Sequence, residues 1–174
     1  YGFAGFGLAT ILYCVIVEKR DLRSLGFSGK VFDYVTGAVL AIALLAVIVG
    51  AGLAAKVLRF DSMIASANTS YLALLFGAFV IQSLAEEILS RGFLLPSLAK
   101  KTSLPVAIFV SSTAFALPHL ASVVEAKGVF AVIGVVNLYL VSLVFSMLFL
   151  LRGNIYIVSG LHCVWNFILY GVMG

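Results

Sequence analysis

Two carboxylates and a guanidinium lie inside an apolar stretch of the chain, in the segment LAEEILSRG at residues 84–92. Glu87 and Arg91 are four residues apart, so on a helix they share one face, with the glutamate in the favourable N-terminal position. We therefore expect these two residues to form a structural ion pair. Charged side chains within a membrane-spanning helix cost at least roughly 2.5–3.5 kcal/mol each, and they mark a functional site by default.

Glu86 is left without a charged neighbour on the same helix. It lies about 100° around the helix axis from Glu87, and the residues four positions before and after it are Gln82 and Ser90. A carboxylate in apolar surroundings needs a proton or a basic partner. A histidine from another helix is the obvious partner, which makes Glu86 the candidate catalytic residue.

The chain has two histidines, and both lie in apolar segments. His119 ends the segment FALPH, four residues after Phe115, and His162 begins the segment HCVWN. His162 and Asn166 are also four residues apart, so their side chains leave one face of the last helix together. An imidazole beside a carboxamide can donate to a developing oxyanion or bind a metal.

The composition indicates the class of protein in which these residues are positioned. Of 174 residues, 63% are hydrophobic and 10% are charged, and the mean hydropathy is +1.20. Soluble domains carry about 25% charged residues, so the chain is expected to be an integral membrane protein. Its net charge of +4 is attributed to loop residues, and no nucleic-acid partner is expected.

Apolar segments of about 17–25 residues predict membrane-spanning helices, and the chain offers about six. The predicted fold is therefore all-α and polytopic, a bundle of transmembrane helices with a catalytic cavity inside the membrane. The predicted spans are residues 1–17, 31–58, 71–98, 104–119, 129–151 and 155–174. Pro118 should kink or stop the fourth span. Gly50 and Gly52, with Ala51, Ala54 and Ala55, should form a small-residue face for close helix packing.

The organisation is predicted to be one membrane domain over residues 1–174, with the polar motifs in residues 82–170. Because the chain begins with Tyr1 rather than Met, we expect it to be truncated at the N-terminus. Cys14 and Cys163 lie in apolar segments and are interpreted as small buried hydrophobic residues.

The three motifs Glu-Glu-x-x-x-Arg, Phe-x-x-x-His and His-x-x-x-Asn occur in this order on successive helices. In this respect residues 82–170 resemble the CAAX protease and bacteriocin-processing (CPBP, or Abi) family of intramembrane proteases, the type II CAAX prenyl endopeptidases. The resemblance implies that Glu86 acts as general base with His119 to activate a water. It also implies that His162 and Asn166 hold the oxyanion, and that Glu87 and Arg91 are the structural pair.

The implied reaction is hydrolysis of a peptide bond in a membrane-associated or lipidated peptide or protein, whether or not it is prenylated. The implied location is a bacterial plasma membrane. A proton-coupled transporter is an alternative, because such proteins also use buried Glu and His residues. The order of the motifs argues against it, as does the lack of repeated broken helices. A non-proteolytic immunity or scaffold protein is a further alternative.

No cofactor is favoured for this glutamate-type mechanism. The chain has no His-Glu-x-x-His segment, and its two cysteines do not have the spacing of a zinc site. Zinc is the alternative, with Glu86, His119 and His162 as its ligands. A metal-bound Glu86 would leave the reaction in need of another general base, since Glu87 is assigned to Arg91.

Overall fold

The computed structural model describes residues 2–29, 31–59 and 68–173, and within these ranges the secondary structure consists of helices and turns without a strand. The predicted span ends Tyr1 and Gly174 lie outside the described residues. A short 3₁₀ turn, Leu22–Leu25, precedes the second helix. The six main helices are α1 (Gly2–Val17), α2 (Val31–Ala54), α3 (Thr69–Ala99), α4 (Leu104–Val124), α5 (Gly128–Arg152) and α6 (Tyr156–Val172). The predicted all-α class is confirmed.

Four of these helices, α2 to α5, are long and apolar enough to cross a membrane. The chain is therefore an integral membrane protein, as its composition predicted. The helices α1 and α6 are apolar but shorter. At 1.5 Å per residue, a helix of 17 residues covers roughly 25 Å, less than the ~30 Å of a hydrocarbon core. That these two helices also cross stays a prediction.

The first half of α6 is the most enclosed part of the bundle, with all of residues 157–163 buried. Both α2 and α3 pack against it. Gly37 of α2 and Gly160 of α6 permit this contact: an added Cβ at Gly37 would collide with the carbonyl oxygen of Ile157, and one at Gly160 with that of Tyr34. The backbones of α2 and α6 therefore lie too close together for any larger side chain at these two positions.

The predicted packing face at Gly50 and Gly52 is wrong. A Cβ added at Gly50 would meet no atom of the described residues within 4 Å, and the three atoms nearest to one at Gly52 all belong to the side chain of Leu58. The two glycines lie near the end of α2, whereas Gly37, whose added Cβ would meet the backbone of α6, lies near its beginning. The small residues that bring the two helices together are therefore nearer the beginning of α2.

Two of the helices are locally distorted at the polar motifs. In α3, a π-helical turn, Ile88–Leu94, begins directly after Glu87 and carries Arg91. In α4, Pro118 lies in a 3₁₀ turn, Leu117–His119, and the helix then continues as Leu120–Val124. Proline lacks the N–H that an α-helix needs, so the backbone tightens locally. Pro118 thus distorts the fourth helix without ending it.

A tight turn joins α5 to α6. Gly153 follows the last residue of α5 with a φ of +68°, and its N–H donates to the carbonyl of Phe149 at 2.8 Å. This left-handed conformation favours glycine. Arg152 pairs with Asp33 at the beginning of α2 (Nη2 to Oδ1, 3.0 Å). The turn and the ion pair together fix the entry of α6 into the bundle.

The two cysteines are buried and free. Both Cys14 and Cys163 have no exposed surface, which confirms their interpretation as small buried hydrophobic residues.

Candidate active site

A fully buried ion pair forms the base of the site. Arg91 Nη1 lies 3.1 Å from both carboxylate oxygens of Glu87, and neither side chain is exposed. Arg91 Nη2 donates to Ser142 of α5, at 2.6 Å to its Oγ and 3.2 Å to its carbonyl oxygen. The guanidinium also lies over the rings of Phe115 and Phe145, at 4.5 and 5.2 Å from their centroids. The pair expected from the sequence is formed, and it links α3 to α5.

Glu87 has a second partner, His162 of α6. Its Oε1, which accepts from Arg91, lies 3.0 Å from His162 Nδ1. Because a carboxylate accepts hydrogen bonds, this geometry assigns a proton to Nδ1. The neutral ring then has an unprotonated Nε2. Glu87 therefore joins α3 to α6 through this hydrogen bond as well as pairing with the guanidinium.

Sequence reasoning missed two of these contacts. It assigned Glu87 to Arg91 alone, and it did not include Ser142. Ser142 and Ser146 are four residues apart in an apolar helix, and both are buried. A pair of small polar residues on one face of α5 was the signal that could have identified this partner of the buried charge.

Glu86 lies between the two histidines. Its Oε1 accepts from Gln82 Nε2 at 3.0 Å. Its Oε2 lies 3.9 Å from His119 Nε2 and 3.8 Å from His162 Nε2, and no hydrogen bond to this oxygen is formed within the described residues. The structure thus brings three of the four predicted catalytic residues together around one carboxylate oxygen.

His119 is held by its own helix. Its Nδ1 lies 3.0 Å from the carbonyl oxygen of Phe115, one turn earlier. A carbonyl oxygen only accepts, so Nδ1 carries a proton and the neutral ring directs an unprotonated Nε2 towards Glu86. The ring of Phe115 packs beside both imidazoles, at centroid distances of 5.1 Å from His119 and 5.7 Å from His162.

Asn166 lies near the other residues without bonding to them. No hydrogen bond in the described ranges joins it to Glu86, His119 or His162. It lines a cavity of about 320 Å³ together with His119 and Gln82, and with Phe79 and Tyr170. A side chain of substrate or a water in this cavity would therefore contact both the carboxamide and the exposed quarter of the His119 side chain.

A second cavity, of about 280 Å³, borders Glu86. It is lined mainly by apolar residues of α1, α3 and α4: Phe3, Phe6, Ala85, Leu89, Ala114, Phe115, Leu117 and Pro118, with Ser90. Glu86 itself thus lines the largely apolar cavity, and its neighbours Gln82 and His119 line the polar one.

The zinc alternative is not assembled in this geometry. In the part of the chain that the structure describes, no group of three or more His, Cys, Asp or Glu side chains is arranged to hold a metal ion. Zinc–nitrogen bonds are about 2.0–2.1 Å long, and the two Nε2 atoms meet only at a shared oxygen 3.8–3.9 Å away. The metal-free mechanism stays a prediction that a chelator can test.

Comparison with known proteins identifies the family. Residues 68–168 match the family model described as type II CAAX prenyl endopeptidase Rce1-like. No curated protein and no solved structure matches the chain. The matched residues contain all three motifs, from Glu86 to Asn166, and they make up more than half of the 174 residues. The resemblance seen in the motifs is therefore confirmed, and the chain belongs to the Rce1-like family of type II CAAX prenyl endopeptidases.

Proposed function

We propose that the chain is an intramembrane endopeptidase that hydrolyses a peptide bond of a membrane-associated protein or peptide, with a water molecule activated by Glu86. The observation that carries the proposal is the position of His119 Nε2 and His162 Nε2, 3.9 and 3.8 Å from the same Glu86 oxygen. Membership of a family of endopeptidases supports the class of reaction.

With Glu86 ionised and both imidazoles neutral, the atoms that face one another here are all hydrogen-bond acceptors. The carboxylate oxygen and two unprotonated ring nitrogens cannot bond to each other, but a water molecule can donate to two of them. Glu86 takes a proton from this water while the water oxygen bonds to the carbonyl carbon of the scissile bond. The π electrons of that carbonyl group move to its own oxygen, which becomes the oxyanion. Glu86 then passes the proton to the amine nitrogen as the C–N bond breaks.

The oxyanion formed in this step needs a donor. Asn166 offers the two N–H groups of a neutral amide at the wall of the cavity that it shares with His119. A donor held in a protein interior stabilises a developing negative charge more than it would in water. We therefore assign the oxyanion to the Asn166 amide.

Two cavities meet the site, one lined by Glu86 and the other by its neighbours Gln82 and His119, and they suggest separate routes for substrate and water. The cavity with Gln82, His119 and Asn166 has polar groups that can bind water. The largely apolar cavity, which includes Phe6 and Leu117, suits an apolar side chain next to the scissile bond. We propose that substrates carry such a side chain, and nothing in this argument requires that they be prenylated.

The test is cleavage of a fluorogenic, lipidated peptide by the protein purified in detergent. Glu86→Gln should lose roughly 10²–10⁴-fold in kcat, because it removes the general base. Glu125→Gln makes the same chemical change at an exposed position and should cleave like the wild type. A strong chelator should have no effect on the wild type.

Other outcomes would change the proposal. Loss of cleavage with chelator, restored by zinc, would place Glu86 and the two histidines in a metal site. Full cleavage by Glu86→Gln would show that the catalytic assignment is wrong. A folded wild type that cleaves no lipidated or apolar membrane peptide would contradict endopeptidase activity itself.

A further inference from the structure

The two imidazoles of the site are held at the same ring atom by different groups. His119 Nδ1 bonds to a neutral backbone carbonyl, and His162 Nδ1 bonds to the carboxylate of Glu87. That carboxylate is fully buried and paired with Arg91. A hydrogen bond to a carboxylate is stronger than one to a neutral carbonyl, so Glu87 holds the proton of the neutral ring at Nδ1 and leaves the lone pair on Nε2. The two histidines are therefore not equivalent.

The tautomer limits what His162 can do. The three motifs imply that His162 shares the oxyanion with Asn166, which requires a proton on Nε2. In the geometry observed, the proton of the neutral ring is on Nδ1, where Glu87 holds it at 3.0 Å. In this neutral tautomer the atom turned towards Glu86, Nε2 at 3.8 Å from its Oε2, is unprotonated. Such a nitrogen attracts an O–H group and repels an oxyanion.

We propose that Glu87 is a positioning residue that fixes His162 as a proton acceptor, so that His162 binds the reacting water rather than the oxyanion. The inference rests on the proposed function, whose water must lie between Glu86 and the histidines. The family resemblance implies that His162 donates a hydrogen bond to the oxyanion, whereas here it accepts one from water. Asn166 then remains as the oxyanion donor.

The protons of the reaction balance with these assignments. The water gives one proton to Glu86 Oε2 as its oxygen bonds to the carbonyl carbon, and its other O–H donates to His162 Nε2. Glu86 returns the first proton to the amine nitrogen as the C–N bond breaks. The second proton moves from the new carboxylic acid to His162 Nε2, which leaves a carboxylate product and an imidazolium. Release of that proton to solvent restores the neutral ring for the next turnover.

The tautomer can be measured without a substrate. The chain has two histidines, so ¹⁵N-histidine labelling gives two rings, and a His119→Gln sample assigns them. In the wild type at pH 8 we expect His162 to have a protonated Nδ1 and an unprotonated Nε2. A proton on His162 Nε2, as the other tautomer or as an imidazolium, would overturn the proposal.

Glu87→Gln tests the cause of the tautomer. With the carboxylate replaced by a neutral amide, the share of His162 protonated at Nδ1 should fall, and kcat should fall roughly 100-fold with KM unchanged. Loss of the correct tautomer in a serine protease triad costs more than this, about 10⁴-fold. An unchanged His162 spectrum in Glu87→Gln would overturn the role of Glu87.

Ser142→Ala is the matched control. It removes one partner of Arg91 and leaves the contact between Glu87 and His162 in place. Its His162 spectrum should match the wild type, and kcat should remain within about twofold because the ring is untouched. If Glu87→Gln does not fold, the wild-type spectrum still decides whether His162 is the proton acceptor at Nε2, and a proton found there would overturn the proposal.

The measurements separate this inference from the proposed function. A wild type that cleaves peptide while His162 is protonated at Nε2 would keep the protease and reject the role of His162 as acceptor. A wild type with the expected tautomer that cleaves nothing would keep the positioning by Glu87 and reject the protease.

Discussion

Two adjacent glutamates of α3 have opposite environments because they are about 100° apart around the helix. Glu87 faces Arg91 and His162, and it is fully buried among their donors. Glu86 faces Gln82 with one oxygen and directs the other towards the two histidines without a hydrogen bond. The first carboxylate has an arginine and a histidine as partners, while the second faces the histidines without a hydrogen bond at Oε2.

Among single substitutions at the site, we expect loss of the buried ion pair to lower the free energy of unfolding most. Arg91→Met removes the guanidinium and leaves the buried Glu87 with His162 as its partner, so unfolding in detergent should become easier by about 3–5 kcal/mol. Ser142→Ala removes one hydrogen bond to the guanidinium and should cost at most about 1.5–3 kcal/mol. Denaturant titration with circular dichroism measures both. Equal stability of Arg91→Met and wild type would contradict a structural role for the pair.

Glu86→Gln should behave differently in the same titration. Its Oε2 has no hydrogen bond to lose, and the amide oxygen can still accept from Gln82. We expect its free energy of unfolding to lie within about 1 kcal/mol of the wild type, because the amide has nearly the same shape, keeps the hydrogen bond from Gln82 and removes no ion pair or cap. A loss of several kcal/mol would show that Glu86 is structural, and its loss of cleavage would then say nothing about catalysis.

Contacts within one helix could be predicted from the sequence, and contacts between helices could not. The pairs Glu87–Arg91 and Gln82–Glu86 are four residues apart, and helix geometry alone brings them together. The contact between Glu87 and His162 joins residues 75 positions apart. It depends on the rotation of α6 against α3, which no local pattern records.

Among the helices, the contact between α2 and α6 positions His162. Gly37→Ala should destabilise the protein by about 1–3 kcal/mol, since its Cβ would collide with the backbone of α6. Gly50→Ala is the control in the same helix, where the added methyl meets open space and should be neutral or gain up to ~1 kcal/mol in helix propensity. Thermal unfolding in detergent compares the two. Equal melting temperatures would contradict the close approach.

The lengths of the apolar segments predicted where the helices begin and end. They did not predict which side of each helix packs against a neighbour. All six predicted spans contain a helix of the structure with bounds close to those expected. The glycines chosen for packing were wrong because a run of small residues does not tell which face meets a neighbour. The π-helical turn at Ile88–Leu94 also left no sequence signal, although it decides where Arg91 points.

At the scale of the whole molecule, a polar site is enclosed by an apolar surface. Large apolar side chains are exposed along the length of α2 and α5, where lipid would cover them. The charged groups of α3 and the imidazole of α6 are buried, and His119 is open to the cavity that includes Asn166. Hydrolysis requires that water reach this cavity from the aqueous phase and not through the lipid-facing surface.

Cysteine labelling tests this route for water. The native thiols, Cys14 and Cys163, have no exposed surface and give a silent background. In liposomes, Phe79→Cys, which lines the cavity, should react at least about tenfold faster with a charged methanethiosulfonate than Leu140→Cys on the exposed surface of α5, because lipid excludes the charged reagent. Both positions lie roughly 15–18 Å along their helices, so depth alone does not separate them.

Equal rates would mean that the cavity is no more open to water than the lipid-facing surface, and the attacking water would need another entrance.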